Sequence, residues 1–234
     1  MDTFPAGGLA AVIGSTGAIG KALADGLEAA GRCSRVIRLS RRSTPGIDLT
    51  DEASIAAAAA WLAGAGLPLR LVIDATGFLH DDRFMPEKGL RQVDPAHMAH
   101  AFAVNAIGPA LLMKHMLPLL PRDGKSVFAT LSARVGSISD NRLGGWHAYR
   151  ASKAALNQFV HTASIELARR NPQAICVALH PGTVDSPLSQ PFAKAGLDVR
   201  PPEVAAKDLL SVLDALTPEQ TGGLYDHRGA AIPW

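Results

Sequence analysis

Residues 9–31 read LAAVIGSTGAIGKALADGLEAAG, and this stretch decides the fold. Five apolar residues at 9–13 predict a buried strand that runs straight into glycines at 14, 17 and 20, then into apolar residues at helical spacing from Ala18 to Ala30. Gly31 stands where a helix C-cap belongs. In this order the amides of the helix's first turn face the end of the strand, where a phosphate fits. Glycine permits the tight turn, the close approach of a pyrophosphate and the close packing of helix on strand. The G-x-x-G-x-x-G spacing is not the common dinucleotide fingerprint, so a tight turn without a ligand is the competing reading.

Outward from this unit, short apolar runs alternate with longer helical patterns, the sequence form of a parallel sheet wrapped by crossover helices. The next strand is VIRL at 36–39, followed by an extended piece that ends at Asp48. Thr50 takes an N-cap position ahead of Asp51 and Glu52, acids in the first turn of an alanine-rich helix running to Ala63. LRLVIDAT at 69–76 is a third strand, and the polar stretch at 78–93 carries no periodic signal. Asp94 and Pro95 supply cap and first-turn proline for a long helix that Pro109 bends or interrupts and that Pro118 and Pro121 end. The strand SVFATLS at 126–132, a helix from Tyr149 to Arg170, the strand AICVALH at 174–180, a helix near 202–216 and a short strand around Leu224–Asp226 complete the series. The expectation is one α/β domain over residues 1–234, a doubly wound parallel sheet of about seven strands in a three-layer α/β/α arrangement.

With 234 residues, 47% of them hydrophobic and 19% charged, the chain can bury a core without disulfides or structural metal. Cys33 and Cys176 lie in no metal or redox spacing and read as free thiols of a reducing, cytoplasmic compartment. The net charge of +2 comes from basic residues spread along the chain, and the pairs Arg41-Arg42 and Arg169-Arg170 have no interleaved aromatics, so no nucleic-acid partner is expected. Apolar runs broken by Gly, Pro or charge argue against a membrane span, and Asp2 and Pro5 against a signal peptide.

Two further segments carry chemistry. At the end of the second strand an acid would hydrogen-bond the adenosine ribose of NAD, whereas a basic residue would accept a 2′-phosphate; here the chain reads Ser40-Arg41-Arg42, without an acid. For two arginines alone a solvated loop is the default reading. Tyr149 and Lys153 are four apart and share a helix face. An ammonium beside a phenol favours the phenolate and moves it toward working pH, so this Tyr can protonate an alkoxide forming from a ketone or deprotonate an alcohol in reverse. The same spacing on many helices means packing and a solvated charge.

In order along the chain, the glycine turn at 14–20, IDLTDEAS at 47–54, DATG at 74–77, Asn105, Tyr149-Arg150-Ala151-Ser152-Lys153 and HPGTVDS at 180–186 resemble the short-chain dehydrogenase/reductase family. ARVGSISDNRLGGWHAYRASKAALN at 133–157 and the ending DHRGAAIPW look like its C-factor and carbonyl-reductase branch. The resemblance implies a Rossmann-type fold, an NADP(H) cofactor, a small carbonyl or alcohol substrate and a homo-oligomer, dimer or tetramer. It implies Tyr149 as general acid, Lys153 lowering its pKa and binding the nicotinamide ribose, and Asn105 anchoring a water that leads protons away. The cofactor contacts it implies come from Gly14, Ser15, Thr16, Gly17, Ile19 and Gly20, from Ser40, Arg41 and Arg42, from Asp48 and Leu49 at the adenine, and from Ala75, Thr76 and Gly77. Pro181, Gly182, Thr183 and Val184 complete the set around the nicotinamide. The hydride chemistry belongs to the cofactor, and the protein supplies orientation and electrostatics.

Two residues depart from the family pattern. Asp74 stands where the family carries Asn, and Ala133 stands where its branch carries the second serine of a pair, the one that orients the substrate carbonyl. Ser132 is expected to take that role through a one-residue bulge that turns it toward Tyr149, with Ser137 as second choice. His97 and His100, three apart, and His80 ahead of Asp81-Asp82 place no third ligand, and no metal is expected. His147 is expected near the rim of the site, Phe192 in an apolar pocket, Trp61 in helix packing and Trp234 against a neighbouring subunit or over the cleft. Loops at 78–93, 134–147 and 184–200 are expected to choose the substrate. Together these features point to an NADP(H)-dependent oxidoreductase that interconverts a carbonyl and an alcohol. Its rivals are a non-catalytic dinucleotide-binding sensor or signalling protein, which Ala133 favours, and a nucleotide-sugar epimerase, which needs a larger substrate region.

Overall fold

The computed structural model of the chain describes residues 1–192 and 198–234. Strand β1 (Leu9–Ile13) is wholly buried and pairs in parallel with β2 (Arg35–Leu39) on one side and β3 (Leu69–Asp74) on the other. Beyond β3 lie β4 (Ser126–Leu131), β5 (Ala174–His180) and β8 (Leu224–Asp226), giving a six-stranded parallel sheet in the order β2-β1-β3-β4-β5-β8. Alternation along β1 sends Leu9, Ala11 and Ile13 into one core with α2 (Glu52–Ala63), α4 (Gly108–Met116) and α5 (His147–Arg170). Ala10 and Val12 enter the other core, against α1 (Ala18–Ala30) and α6 (Pro202–Ala215). Burial on both faces is why the strands read as continuous apolar runs rather than alternating ones.

The sheet has one strand fewer than expected. The extended piece ending at Asp48 makes a single ladder-like bond, from Ile47 N to Ser40 O at 3.0 Å, and does not form a strand. Two short strands, β6 (Thr183–Val184) and β7 (Val199–Arg200), pair as a separate ribbon after β5. The N-cap of α2 is Asp51, which accepts from Ala53 N at 3.0 Å, rather than Thr50. Asp51 stands directly ahead of the first helical residue, Glu52, while Thr50 turns its amide (2.9 Å) and its hydroxyl (2.7 Å) back to Asp48.

Asp94 caps α3 (Pro95–Phe102) by accepting from His97 N at 2.9 Å. Pro109 interrupts the helical path as expected, and the interruption takes a specific form. Pro109 has no N–H and its ring crowds the carbonyl four residues back, that of Asn105. The turn Ala103–Ile107 ahead of it widens to a π-turn, with Gly108 N bonded five residues back to Ala103 O. The helical stretch Pro95–Leu119 thereby runs on over 25 residues through Gly108 and Pro109, and by length and composition alone it would suffice to cross a membrane. Its Leu112, Met113 and Met116 are buried in the core shared with α2 and α5, and this packing accounts for its apolar content.

Candidate functional site

The C-terminal ends of β1 and β2 meet in a site made of backbone. Leu39 O accepts from Gly14 N (2.9 Å) and Ser15 N (3.1 Å), which ties the two loops together. Gly14 has φ +77°, and a Cβ on Gly20 would lie 2.3 Å from Gly14 O, so the helix can sit this close only with glycine at 20. The first intrahelical bond of α1 runs from Lys21 N to Gly17 O at 2.8 Å. The amides of Ala18, Ile19 and Gly20 precede it and face the strand end, an anion cradle of the kind helix N-termini provide. Arg41 and Arg42 are exposed beside it, in a turn organised on buried Ser40, whose Oγ accepts from Arg42 N at 3.2 Å. Thr50 holds Asp48 below the usual carboxylate range, and the adjoining Leu49 is seated on Gly108 so closely that a Cβ there would lie 2.6 Å from Leu49 Cβ.

Beyond β3 the site is made of buried side chains. Asp74 accepts from Thr76 N (3.0 Å), Thr76 Oγ1 (2.6 Å) and Thr130 Oγ1 (2.7 Å), and burial pushes its carboxyl up. Ala75 N bonds Ile13 O at 2.9 Å and so lies against the Gly14 turn. Asn105 sits in the π-turn, fully buried; its amide clamps Phe78 through both backbone groups, each at 2.7 Å, and donates to Ser152 Oγ at 3.1 Å. The side chain expected to anchor a water is thus engaged with Phe78 and Ser152.

Tyr149 and Lys153 project from the first turns of α5. Lys153 Nζ is buried, donates to Leu131 O at 2.8 Å and lies 5.9 Å from the centre of the Tyr149 ring. Burial lowers the Lys153 ammonium to about 8 and pushes the Tyr149 phenol up to about 12. With its Nζ turned to a carbonyl, Lys153 does not offset the effect of burial on the phenol in this arrangement.

The bulge expected at Ser132 is not formed. β4 pairs with β5 in register through Leu131 and no bulge follows: Ser132 N bonds Leu179 O at 2.8 Å, while Ser132 Oγ donates to Asn157 Oδ1 at 2.7 Å. Alternation sends Ser132 toward α5, two turns beyond Tyr149. Ser137, also buried, accepts from Asp140 N at 3.2 Å and keeps its own proton to donate. After β5, Pro181 is buried and Gly182 has φ +81°, with a Cβ there 3.2 Å from Arg200 Cδ and 3.3 Å from His227 Nδ1. Thr183 and Val184 follow as β6, at the same end of the sheet.

Several residues were missed by sequence reasoning. Glu87, from the stretch without periodicity, is buried; both its carboxylate oxygens accept from Ala148 N at 3.2 Å, and its backbone O accepts from Trp146 N at 2.6 Å. His97 Nδ1 lies 3.5 Å from the same carboxylate. Glu87 thus caps α5 one residue ahead of Tyr149 and pins Trp146, the non-glycine residue at φ +53°. The Trp146 ring lies 6.1 Å from Tyr149 and 5.0 Å from Phe192, which in turn lies 5.3 Å from His80, an aromatic wall across the cleft. His97 and His100 pack with Phe78 and Phe84. Trp61 is half-exposed under Arg35, and Trp234 folds back on its own chain, its carbonyl accepting from Ser139 N and its ring against His161. Residues 193–197 of the 184–200 loop lie outside the described residues.

A parallel sheet with a glycine cradle at the end of its first strand, and a Tyr-x-x-x-Lys helix at the same edge, defines a class of nucleotide-binding oxidoreductases. The chain belongs to the short-chain dehydrogenase/reductase family. Its residues 17–204 match the family model described as enoyl-(acyl carrier protein) reductase. It is 38% identical to C-signal of Myxococcus xanthus over 145 residues, 62% of this chain and 83% of that protein. It is 32% identical to 1-hydroxy-2-glutathionyl-2-methyl-3-butene dehydrogenase of Rhodococcus sp. (strain AD45) over 190 residues, 81% of this chain and 79% of that one. The fold matches NADPH-bound carbonyl reductase from chicken fatty liver with a TM-score of 0.85 at 24% identity, covering 98% of this chain and all of that one. Carbonyl reductase Sniffer of D. melanogaster gives a TM-score of 0.83 at 20% identity, covering 98% of this chain and 100% of that one.

Proposed function

We propose that the protein is an NADP(H)-dependent carbonyl reductase, or the reverse alcohol dehydrogenase, with Tyr149 moving the proton. The observation that carries this reading is the position of Tyr149 and buried Lys153, on one helix face beside Gly77 and Asn105, at the strand ends that also hold the glycine cradle. The cofactor fits the residues present: the amides of Ala18–Gly20 take a pyrophosphate, the Gly14 and Gly20 backbone admits it closely, and Arg41 and Arg42 take a 2′-phosphate. Asp48 and Leu49 receive the adenine, and Pro181 to Val184 the nicotinamide. Bound NADPH supplies hydride. Tyr149 Oη donates its proton to the carbonyl oxygen as that oxygen gains charge, and a protonated phenol held up by burial is the correct starting state for this direction. Lys153, once its Nζ leaves Leu131 O for a ribose hydroxyl, stabilises the phenolate left behind. Trp146, Phe192 and His80 exclude water and favour a flat or apolar substrate.

The chicken and fly carbonyl reductases and the Rhodococcus dehydrogenase support a redox role; the similarity to C-signal and the engagement of Ser132 with Asn157 favour a second reading, a non-catalytic cofactor-binding signalling protein. NADPH oxidation against a panel of aldehydes, ketones and quinones separates the two. Turnover abolished by Tyr149→Phe supports the enzyme, and tight NADPH binding without turnover of any member supports the signalling protein. We also infer a homo-oligomer, which light scattering tests. A cytoplasmic location fits the two free thiols, Cys33 and Cys176.

A further inference from the structure

Asp74 ends β3 in place of the expected Asn, and the reaction proposed above has no use for a carboxylate there. Its side chain is wholly buried, and all three of its hydrogen-bond partners, the Thr76 amide, the Thr76 hydroxyl and the Thr130 hydroxyl, donate to it. Burial pushes this carboxyl up, and the bonds from Thr76 and Thr130 together with the Lys153 ammonium work against that in favour of the ionised form. A buried carboxylate is costly unless a positive charge offsets it.

That charge is on the same face of the sheet. Thr130 and Asp74 project toward α5, as their neighbours Phe128 and Val72 do in the core on that side. Lys153 Nζ donates to the carbonyl of Leu131, the residue after Thr130. A Cβ on Gly77 would lie 3.7 Å from Lys153 Nζ and 3.8 Å from Asn105 Oδ1, and Gly77 directly follows Thr76, which Asp74 holds at two points. Carboxylate and ammonium thus both lie by the Thr76–Gly77 turn, without a direct ion pair but near enough for each to act on the other. The groups facing them are Thr76, Thr130 and the Leu131 carbonyl from the strands, Asn105 from the π-turn, and the Tyr149 phenol from α5, all uncharged at neutral pH. Asp74 is the charge that acts on Lys153, and it opposes the lowering by burial.

We propose that Asp74 is a positioning residue for Lys153, an ionised counter-charge that keeps the Lys153 ammonium protonated inside the protein and holds the Thr76–Gly77 turn against it. The inference rests on the proposed use of Lys153 beside Tyr149, and its test reads the lysine itself. Asp74→Asn keeps volume and an acceptor oxygen and removes the charge. With lysine ¹³C-labelled at Cε and no cofactor added, the Lys153 signal, assigned by its loss in Lys153→Met, should titrate about one pH unit lower or more in Asp74→Asn than in wild type. The pH at which NADPH affinity falls should move the same way. Midpoints that agree within about 0.2 unit overturn the proposal, because a purely structural Asp74 alters melting temperature and leaves the lysine alone. If Asp74→Asn does not fold, Thr130→Val takes its place: losing a donor to Oδ2 destabilises the ionised carboxylate, so the Lys153 midpoint should fall by a smaller amount, and an unmoved midpoint overturns the proposal. Turnover surviving Tyr149→Phe would count against the acid–base reading, whereas an unmoved Lys153 signal counts against Asp74 alone.

Discussion

The two halves of the cleft are built on opposite principles. At the ends of β1 and β2 the working groups are main-chain amides and glycines, held by bonds between loops such as Gly14 N to Leu39 O, with little charge buried. At the ends of β3 and β4 they are side chains: Asp74 and Lys153 are buried and Tyr149 partly so, all three are shifted by burial, and Asp74 and Lys153 are held by Thr130 and Leu131, far away in sequence. A backbone site depends on the absence of side chains, so an added methyl group breaks it. A side-chain site depends on a few polar partners, so it breaks when one hydroxyl or carboxylate is removed and its shape is kept.

Removing one atom from the side-chain half should have the largest effect. Tyr149→Phe keeps the ring that packs on Trp146 and deletes the proton donor. The expected loss in kcat is about 10²–10⁴-fold with NADPH affinity unchanged, measured by steady-state kinetics and fluorescence titration. Loss of affinity instead would mean that the two halves are not separable. Adding one atom to the backbone half is the converse. In Gly20→Ala the new Cβ meets Gly14 O at 2.3 Å, a backbone atom that cannot rotate away. The expectation is a loss of about 3 kcal/mol in urea unfolding together with the loss of NADPH binding.

The backbone half is also where the residues could be read in order. Its signals are local: an apolar run, glycines within seven residues of one another, and a helix whose first turn follows immediately. The side-chain half was legible only as types. Tyr149 and Lys153 share a helix face by spacing alone, but what surrounds them comes from β3, β4, the π-turn and the 78–93 stretch. Glu87 shows why: its partner is the amide of Ala148, 61 residues away, and no periodicity in its own segment points there. The seventh strand failed for a related reason, since Ile47 and Asp48 are extended but bonded by one loop contact rather than a ladder. Asp51 rather than Thr50 caps α2 because the helix begins one residue later than read, with Thr50 turned back to Asp48, a one-residue difference that spacing cannot rank.

Glu87 permits a test of intermediate size. Glu87→Ala leaves the Ala148 amide and His97 without their buried partner, and should cost about 1–3 kcal/mol of stability. Because the carboxylate holds the amide of Ala148, the residue directly ahead of Tyr149, KM for the carbonyl substrate should rise more than KM for NADPH. Equal changes in both would assign Glu87 to the fold alone. Arg41→Ala works on the other half, at an exposed loop. It removes charge-assisted hydrogen bonds to a 2′-phosphate worth roughly 1.5–3 kcal/mol, so NADPH should bind about ten- to a hundredfold more weakly while NADH is unaffected. Equal dissociation constants for the two cofactors in the wild-type chain would remove the NADP(H) assignment.

The smallest effect separates two serines within the side-chain half. Ser132 Oγ gives its proton to Asn157 and faces α5 two turns past Tyr149, so its hydroxyl is committed to holding strand to helix. Ser137 accepts from Asp140 N and still has a proton to donate, in the loop that leads from β4 toward α5. If a hydroxyl orients the substrate carbonyl here, where Ala133 carries none, Ser137 is the one of the two serines whose proton is not already given to a neighbour. Ser132→Ala should therefore lower stability by about 1 kcal/mol, since Asn157 Oδ1 loses a buried donor, and leave kcat/KM within about threefold. Ser137→Ala should lower kcat/KM by about tenfold, the scale of one hydrogen bond made in the transition state. The reverse pattern would require Ser132 to rotate away from Asn157 when substrate binds, and an Asn157→Ala variant with raised activity would then be the corroborating observation. If both alanine variants keep wild-type kcat/KM, Tyr149 is the carbonyl's hydrogen-bond donor without help from either serine, and the fall in kcat for Tyr149→Phe should then lie at the upper end of its range.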